Sequence, residues 1–135
     1  MNALLWVLQV ALAFLYVAGG AYKVFSVDEW ASAGWYSVLP RGGWSAIGIF
    51  EVACALLLVV PATVRRMPGL TSLAAAALAL ETLALAGLYA RYSLELAATN
   101  PLVWCLVMGL LAAFVAYGRY ALRPPARRSV TARLA

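Results

Sequence analysis

The chain has 135 residues, of which 66% are hydrophobic and 11% charged, with a formal net charge of +5 and no histidine. So apolar a chain is an integral membrane protein rather than a soluble domain, and its length fits one compact bundle. The lack of histidine removes the commonest general base and metal or haem ligand, and two cysteines without paired spacing, Cys54 and Cys105, are too few for a CxxC redox motif, a zinc site or an iron–sulfur cluster.

No metal and no cofactor is therefore expected. The basic residues flank apolar stretches, so membrane topology accounts for them and nucleic acid is not an expected partner.

Four apolar segments follow in chain order. The first, Asn2 to Phe25, is too long for a signal peptide and lacks a basic n-region, so it is read as a retained span. After it, Ser26-Val27-Asp28-Glu29 has the pattern of a capping box, with Ser26 as N-cap and Glu29 at N3. It opens a short amphipathic helix expected at the outer mouth of the bundle. Trp30, Trp35 and Tyr36 in this loop suit either an aromatic interfacial belt or a lid over a cavity. The second span runs from about Gly43 to Val60 and is expected to end at Pro61. The third runs from Gly69 to Tyr92, after the Pro68–Gly69 break. The fourth runs from Pro101 to Leu122, ahead of Pro124–Pro125. Each has ~18–24 residues, which at 1.5 Å per residue crosses ~30 Å of hydrocarbon.

These elements make an all-α, four-helix membrane bundle over residues 1–122. A basic, Pro-containing, disordered tail, 123–135, follows and touches anionic lipid. Arg65 and Arg66 lie between spans two and three, and Arg119, Arg123, Arg127, Arg128 and Arg133 lie at or beyond the end of span four. On the other side, Lys23, Arg41 and Arg91 are partly offset by Asp28, Glu29 and Glu95. The positive-inside rule then places both termini in the cytoplasm, in a bacterial inner membrane.

Two acids lie inside these spans. A carboxylate in hydrocarbon costs on the order of 2.5–3.5 kcal/mol on insertion scales. Counting from the outer side puts Glu51 ~12 Å deep in span two and Glu81 ~15 Å deep in span three. Antiparallel neighbours pack with axes ~8–10 Å apart, so the two side chains are within reach of each other.

On span one, Tyr16 lies seven residues below Lys23 on the same face, which brings its hydroxyl near Glu51, and Gln9 continues that face inward. Trp44, two turns above Glu51, and Tyr92, three turns above Glu81, extend the polar and aromatic set. Asn100 and Trp104 add to it at the top of span four. The inner half is nearly all Leu, Ala and Val, so the pattern describes a pocket open outward and sealed inward. A snorkelling role suits Lys23, and pairing with a glutamate is its sharper alternative. Gly19–Gly20 reads as a packing notch. Cys54 reads as an inert buried thiol, and its depth differs too far from that of Cys105 for a disulfide.

Burial disfavours the charged form and two adjacent acids disfavour double ionisation, so one of the pair is expected to hold a proton while the other ionises. That supplies a paired general acid and base, Glu51 and Glu81, with Tyr16 polarising an oxygen. Lys23, Trp44, Trp35, Tyr92 and Trp104 would line the substrate site. Suitable reactions are isomerisation, epoxide opening or cyclisation of a lipophilic small molecule.

Three stretches carry a resemblance. They are Ala18-Gly19-Gly20-Ala21-Tyr22-Lys23 closing span one, Gly48-Ile49-Phe50-Glu51-Val52 in span two, and Phe114-Val115-Ala116-Tyr117-Gly118-Arg119-Tyr120 in span four. With them the chain resembles, over nearly its whole length, the DoxX-like family of small four-span membrane proteins. The resemblance implies a four-helix bundle. The family takes its name from a subunit of a thiosulfate:quinone oxidoreductase, and most members have no assigned activity. Lys23 and Glu51 match family positions. Glu81 stands where the family usually has an apolar residue, and Tyr89 stands near where many relatives carry histidine. An acid added to an inherited scaffold implies chemistry particular to this chain.

Four functions compete on this reading. The first is a membrane enzyme of acid/base type acting on a lipophilic ligand. The second is the membrane subunit of a quinone-linked oxidoreductase, which needs a redox partner. The third is a proton-coupled exporter similar to the small multidrug resistance family, whose membrane glutamate lies in span one, where this chain has none. The fourth is a structural partner subunit. A homo-oligomer is compatible with all four.

Overall fold

A computed structural model of the chain describes residues 2–32, 39–64 and 68–122. It consists of helices α1 (Asn2–Phe25), α2 (Val27–Ser32), α3 (Arg41–Val64), α4 (Pro68–Ala90) and α5 (Pro101–Ala121). All but α2 are long and apolar enough to cross a membrane. A helix pairs its own backbone groups internally, which is what allows it to stand in hydrocarbon. The expected four-span, all-helical bundle is therefore what the sequence forms.

The strongest packing joins α4 to α5 and α1 to α3; α3 and α4 close a third side, and α1 and α5 meet least. Chain direction alternates around this ring. Gly20 faces Gly48, Gly109 faces Leu83, and Leu5 faces Gly118. Large apolar side chains such as Phe14, Ile49, Leu80 and Leu110 stand exposed on the outside, where a bilayer would receive them. The interior has two clusters. Leu5, Leu12, Leu58, Leu78 and Val115 belong to one, and Trp44, Leu85, Tyr89 and Leu102 to the other, nearer the α2 end.

Helix boundaries depart from the sequence reading in three places. Pro61 does not end α3, which continues to Val64. Proline lacks an N–H and forfeits one backbone bond, a loss tolerated close to a helix end. The Thr63 hydroxyl donates to the Val60 carbonyl (2.8 Å), serving one of the last acceptors. At the other end of the next helix, α4 stops at Ala90, so Tyr92 lies in a turn beyond it rather than on its face.

The third departure is at α2. The helix does open directly after Ser26, but the Ser26 N–H goes to the Tyr22 carbonyl (2.8 Å), and the Glu29 carboxylate accepts from the Tyr22 hydroxyl (3.0 Å). These bonds tie the start of α2 to the last turn of α1. An exposed Asp28–Arg41 pair (2.7 Å) ties α2 to the start of α3.

Asn100 caps α5. Its side-chain oxygen accepts from Leu102 N–H (3.0 Å) while its amide donates to the Glu95 carbonyl (2.6 Å), so one residue both starts the helix and shapes the preceding loop. Trp35, Tyr36, Arg65, Arg66, the side chain of Trp30 and the tail from 123 lie outside the described residues.

Candidate functional site: a cavity with a buried ion pair

The site begins with a close helix crossing. A Cβ on Gly20 would sit 2.6 Å from the Gly48 carbonyl oxygen, and a Cβ on Gly48 would sit 2.5 Å from the Gly20 oxygen. Only glycine at both positions lets the α1 and α3 backbones touch, as in small-residue packing of membrane helices. One turn on from this crossing are Lys23 on α1 and Glu51 on α3. Their side chains meet in a buried ion pair, with Nζ donating to Oε1. Lys23 is 7% exposed and Glu51 4%. The snorkelling role suggested for Lys23 is thus replaced by pairing, because the glycine crossing leaves its ammonium nearer to Glu51 than to the surface.

Tyr16, 2% exposed, does not bond Glu51 directly. Its hydroxyl meets Thr82 Oγ1 at 2.6 Å. Thr82 has one proton to give, to the Leu78 carbonyl at 2.6 Å or to Glu81 Oε2 at 3.1 Å. In either arrangement the Tyr16 O–H donates to Thr82. The sequence reading missed Thr82, although a hydroxyl next to Glu81 in a helix of Ala and Leu was a visible signal.

Between these groups lies a cavity of about 260 Å³. Helix α1 contributes Leu15, Tyr16, Gly19 and Lys23 to its wall, and α3 contributes Glu51. Thr82, Leu85 and Tyr89 come from α4. Thr99 lies at its rim, and Pro101, Trp104, Cys105 and Met108 come from α5. Most of this surface is apolar. The second oxygen of Glu51, Oε2, is buried and accepts no hydrogen bond from the described residues.

The expected site residues divide accordingly. Glu51, Tyr16, Lys23 and Trp104 share the cavity. Trp104 is 57% exposed at its rim, with its indole N–H given to the Ala98 carbonyl (2.8 Å). Glu81 is not on the wall. It lies nine residues from the end of α4, and Glu51 lies ten residues from the start of α3, so both are ~14–15 Å along their helices. Glu81 is within electrostatic reach of Glu51 and Lys23, and its Oε1 is buried without a hydrogen-bond partner among the described residues. Its neighbour Thr82 is the wall residue, and the Thr82 hydroxyl lies 3.1 Å from Glu81 Oε2.

Trp44 is fully buried behind the wall, packed in the cluster that holds Leu85 and Tyr89 in place. Tyr92 is 52% exposed and away from the cavity, because α4 ends before it. Trp35 lies outside the described residues. Both cysteines are free, Cys54 in the core and Cys105 on the cavity wall. Among the described residues no cluster of three or more acidic, cysteine or histidine side chains is placed to hold a metal ion.

The Gly19–Gly20 notch is split between two jobs. Gly20 makes the helix crossing. Gly19 faces the cavity, where an added Cβ would meet nothing within 4 Å.

At the opposite end the bundle interior is less uniformly apolar than its sequence suggested. Gln9 is fully buried. Its amide donates to the Leu58 carbonyl and its oxygen accepts from Arg119 Nε (2.8 Å). The Arg119 guanidinium also lies 5.0 Å from the centroid of the Trp6 ring. Arg119 was assigned only to membrane topology, and its spacing from Gln9, more than a hundred residues away, carried no signal.

The model of the DoxX-like family aligns with residues 7–114, which reach into all four spans and include every described residue of the cavity wall. No curated protein and no solved structure matches.

Proposed function

The chain belongs to the DoxX-like family, and from that premise we propose that it binds a lipophilic small molecule in the cavity and performs acid/base chemistry on it. The observation that carries this reading is Glu51. It is 4% exposed, stands on the wall of a largely apolar cavity, and keeps one oxygen free of hydrogen bonds to the described residues. A buried carboxylate oxygen without a partner is costly, and a ligand donor supplies one. Such a site inside a membrane span is a functional candidate on energetic grounds.

The chemistry divides between the two carboxyls. Glu51, oriented by Lys23, accepts a proton from a substrate hydroxyl or carbon acid. Tyr16 faces the same cavity and donates to a substrate oxygen. Behind it, Thr82 and Glu81 form a hydrogen-bonded line of 2.6 and 3.1 Å that restores the tyrosine's proton. In an epoxide opening or cyclisation, the nucleophile's O–H bond breaks toward Glu51 as the new C–O bond forms. For this step the Tyr16 and Thr82 hydroxyls turn from their resting directions and Glu81 carries a proton on Oε2; the leaving oxygen then takes the Tyr16 proton, Tyr16 takes that of Thr82, and Thr82 takes that of Glu81. The net movement is one proton from Glu81 to Glu51. Isomerisation uses the same two faces.

The test is turnover of candidate epoxide and polyene substrates in membranes containing the wild-type chain, Glu51→Gln, Thr82→Val or Glu81→Gln. Glu51→Gln is expected to abolish activity, with Thr82→Val and Glu81→Gln slowing it. Full activity in Glu51→Gln would discard the proposal. An exporter is the weaker reading, since the Glu51 carboxylate already has the Lys23 ammonium as its counter-ion. Stable co-purification with a redox protein would instead favour the quinone-linked subunit.

A further inference from the structure

The cavity's volume and the uneven contacts of its two outer helices identify the kind of molecule that fits. At about 260 Å³ it is smaller than the ~300–1,000 Å³ that encloses a drug-sized ligand. A cavity of that size has room for one end of a longer molecule whose remainder leaves through a gap.

The helix packing places that gap between α1 and α5. These two helices meet least of the neighbouring pairs around the ring. Contacts that join them at the end away from α2 include Leu5 on Gly118 and Gln9 and Trp6 with Arg119. Leu15 and Gly19 of α1 and Trp104 and Met108 of α5 line the cavity between them. Leu15 and Trp104 are about half exposed, at 47% and 57%. Leu15 lies ten residues from the end of α1, so the gap reaches ~15 Å down the bundle, into the hydrocarbon layer. Gly19 has no side chain to narrow it.

We propose that the α1–α5 seam is a lateral portal to the bilayer, and that its ligand is a long-chain or terpenoid alcohol. Its hydroxyl hydrogen-bonds Glu51 Oε2, and its hydrocarbon tail leaves between Leu15 and Trp104 into lipid. The hydroxyl is argued from the Glu51 carboxylate, which belongs to the cavity wall and has one buried oxygen with no hydrogen-bond partner among the described residues; an alkane would leave that oxygen unserved. The tail direction is argued from Leu15 and Trp104, wall residues with large apolar side chains that are about half exposed. This deepens the catalytic reading and rests on the same cavity, but it concerns binding and access, which are measurable without turnover.

Cys105 on the cavity wall is the reporter. In nanodiscs carrying Cys54→Ala, the rate at which lipid-soluble N-phenylmaleimide alkylates Cys105 reads access to the cavity. Gly19→Phe should slow it by about tenfold or more, equivalent to a barrier raised by ~1.4 kcal/mol. Gly87→Phe, on the exposed surface of α4 where an added Cβ also meets nothing within 4 Å, should leave the rate unchanged.

1-Dodecanol should protect Cys105 at an about tenfold lower membrane mole fraction than dodecane. That preference should vanish in the Lys23→Met/Glu51→Leu double variant, which removes the acceptor without stranding the ammonium. Unchanged labelling in Gly19→Phe, or no labelling of the Cys54→Ala parent, would overturn the portal. Equal protection by alkane and alcohol would overturn the hydroxyl assignment. Loss of turnover in Glu51→Gln with these labelling results intact would leave both readings standing. Retained turnover with the same labelling would remove the catalytic reading alone.

Discussion

The two ends of the bundle bury polar groups to different effect. Away from α2, Gln9 is fully buried and joins three helices at once, through Leu58 of α3 and Arg119 of α5, and the α1–α5 seam is stitched shut. At the α2 end, Lys23 joins Glu51 of α3 and Tyr16 joins Thr82 of α4, but neither bond crosses to α5. The polar groups at one end act as a clasp. At the other they border a cavity whose wall includes Glu51. What separates a structural polar cluster from a candidate site here is the set of helices the bonds connect, more than the number of bonds.

The largest effect should come from breaking the ion pair on one side only. Glu51→Leu strands a buried ammonium and should cost ~3–5 kcal/mol, whereas adding Lys23→Met should recover most of that loss. Equilibrium unfolding in mixed micelles would measure both, and a single variant as stable as the double would mean that Lys23 escapes to water.

Next in size is the glycine crossing. Gly20→Ala drives a methyl into the α3 backbone and should cost ~1–3 kcal/mol. Gly19→Ala, facing open space, should stay within ~0.5 kcal/mol. Equal losses at the two positions would erase the division between packing face and cavity face.

At the clasp, Arg119→Leu removes the bond to Gln9 and the stacking on Trp6, for ~1 kcal/mol of stability. It should leave alkylation of Cys105 at the wild-type rate if the two ends are independent. The smallest stability change, ~0.6 kcal/mol, belongs to Tyr16→Phe, since Thr82 keeps its bond to the Leu78 carbonyl. Its effect on turnover should be far greater, ~100-fold or more if the tyrosine is the proton donor. A variant impaired in stability but not in rate would make Tyr16 a clasp residue like Gln9.

Much of the fold was legible because hydrophobic length is a direct physical signal. Asn2–Phe25 and Pro101 as a helix start could be read from the chain. Pro61 misled because proline forbids a bond only to its own N–H, and near a helix end that bond matters little. Tyr92 was misplaced by counting turns past the point where α4 unwinds.

At the site, Glu51 and Lys23 were visible as charges in an apolar context, and Tyr16 as a polar group on the same face. Rotation about the helix axis was not visible, and it decides the rest. It keeps Glu81 off the cavity wall and sends Trp44 into the core. The Gln9–Arg119 bond joins the two ends of the chain, and nothing local announces it.

The central claim is that Glu51 Oε2 serves a bound molecule. An experimental structure of the chain in lipid nanodiscs, prepared with 1-dodecanol, tests it most directly. The expected result is elongated density with its head within hydrogen-bond distance of Glu51 Oε2 and its tail between Leu15 and Trp104. A closed α1–α5 seam, with Oε2 bonded to a protein group and no density in the cavity, would contradict it.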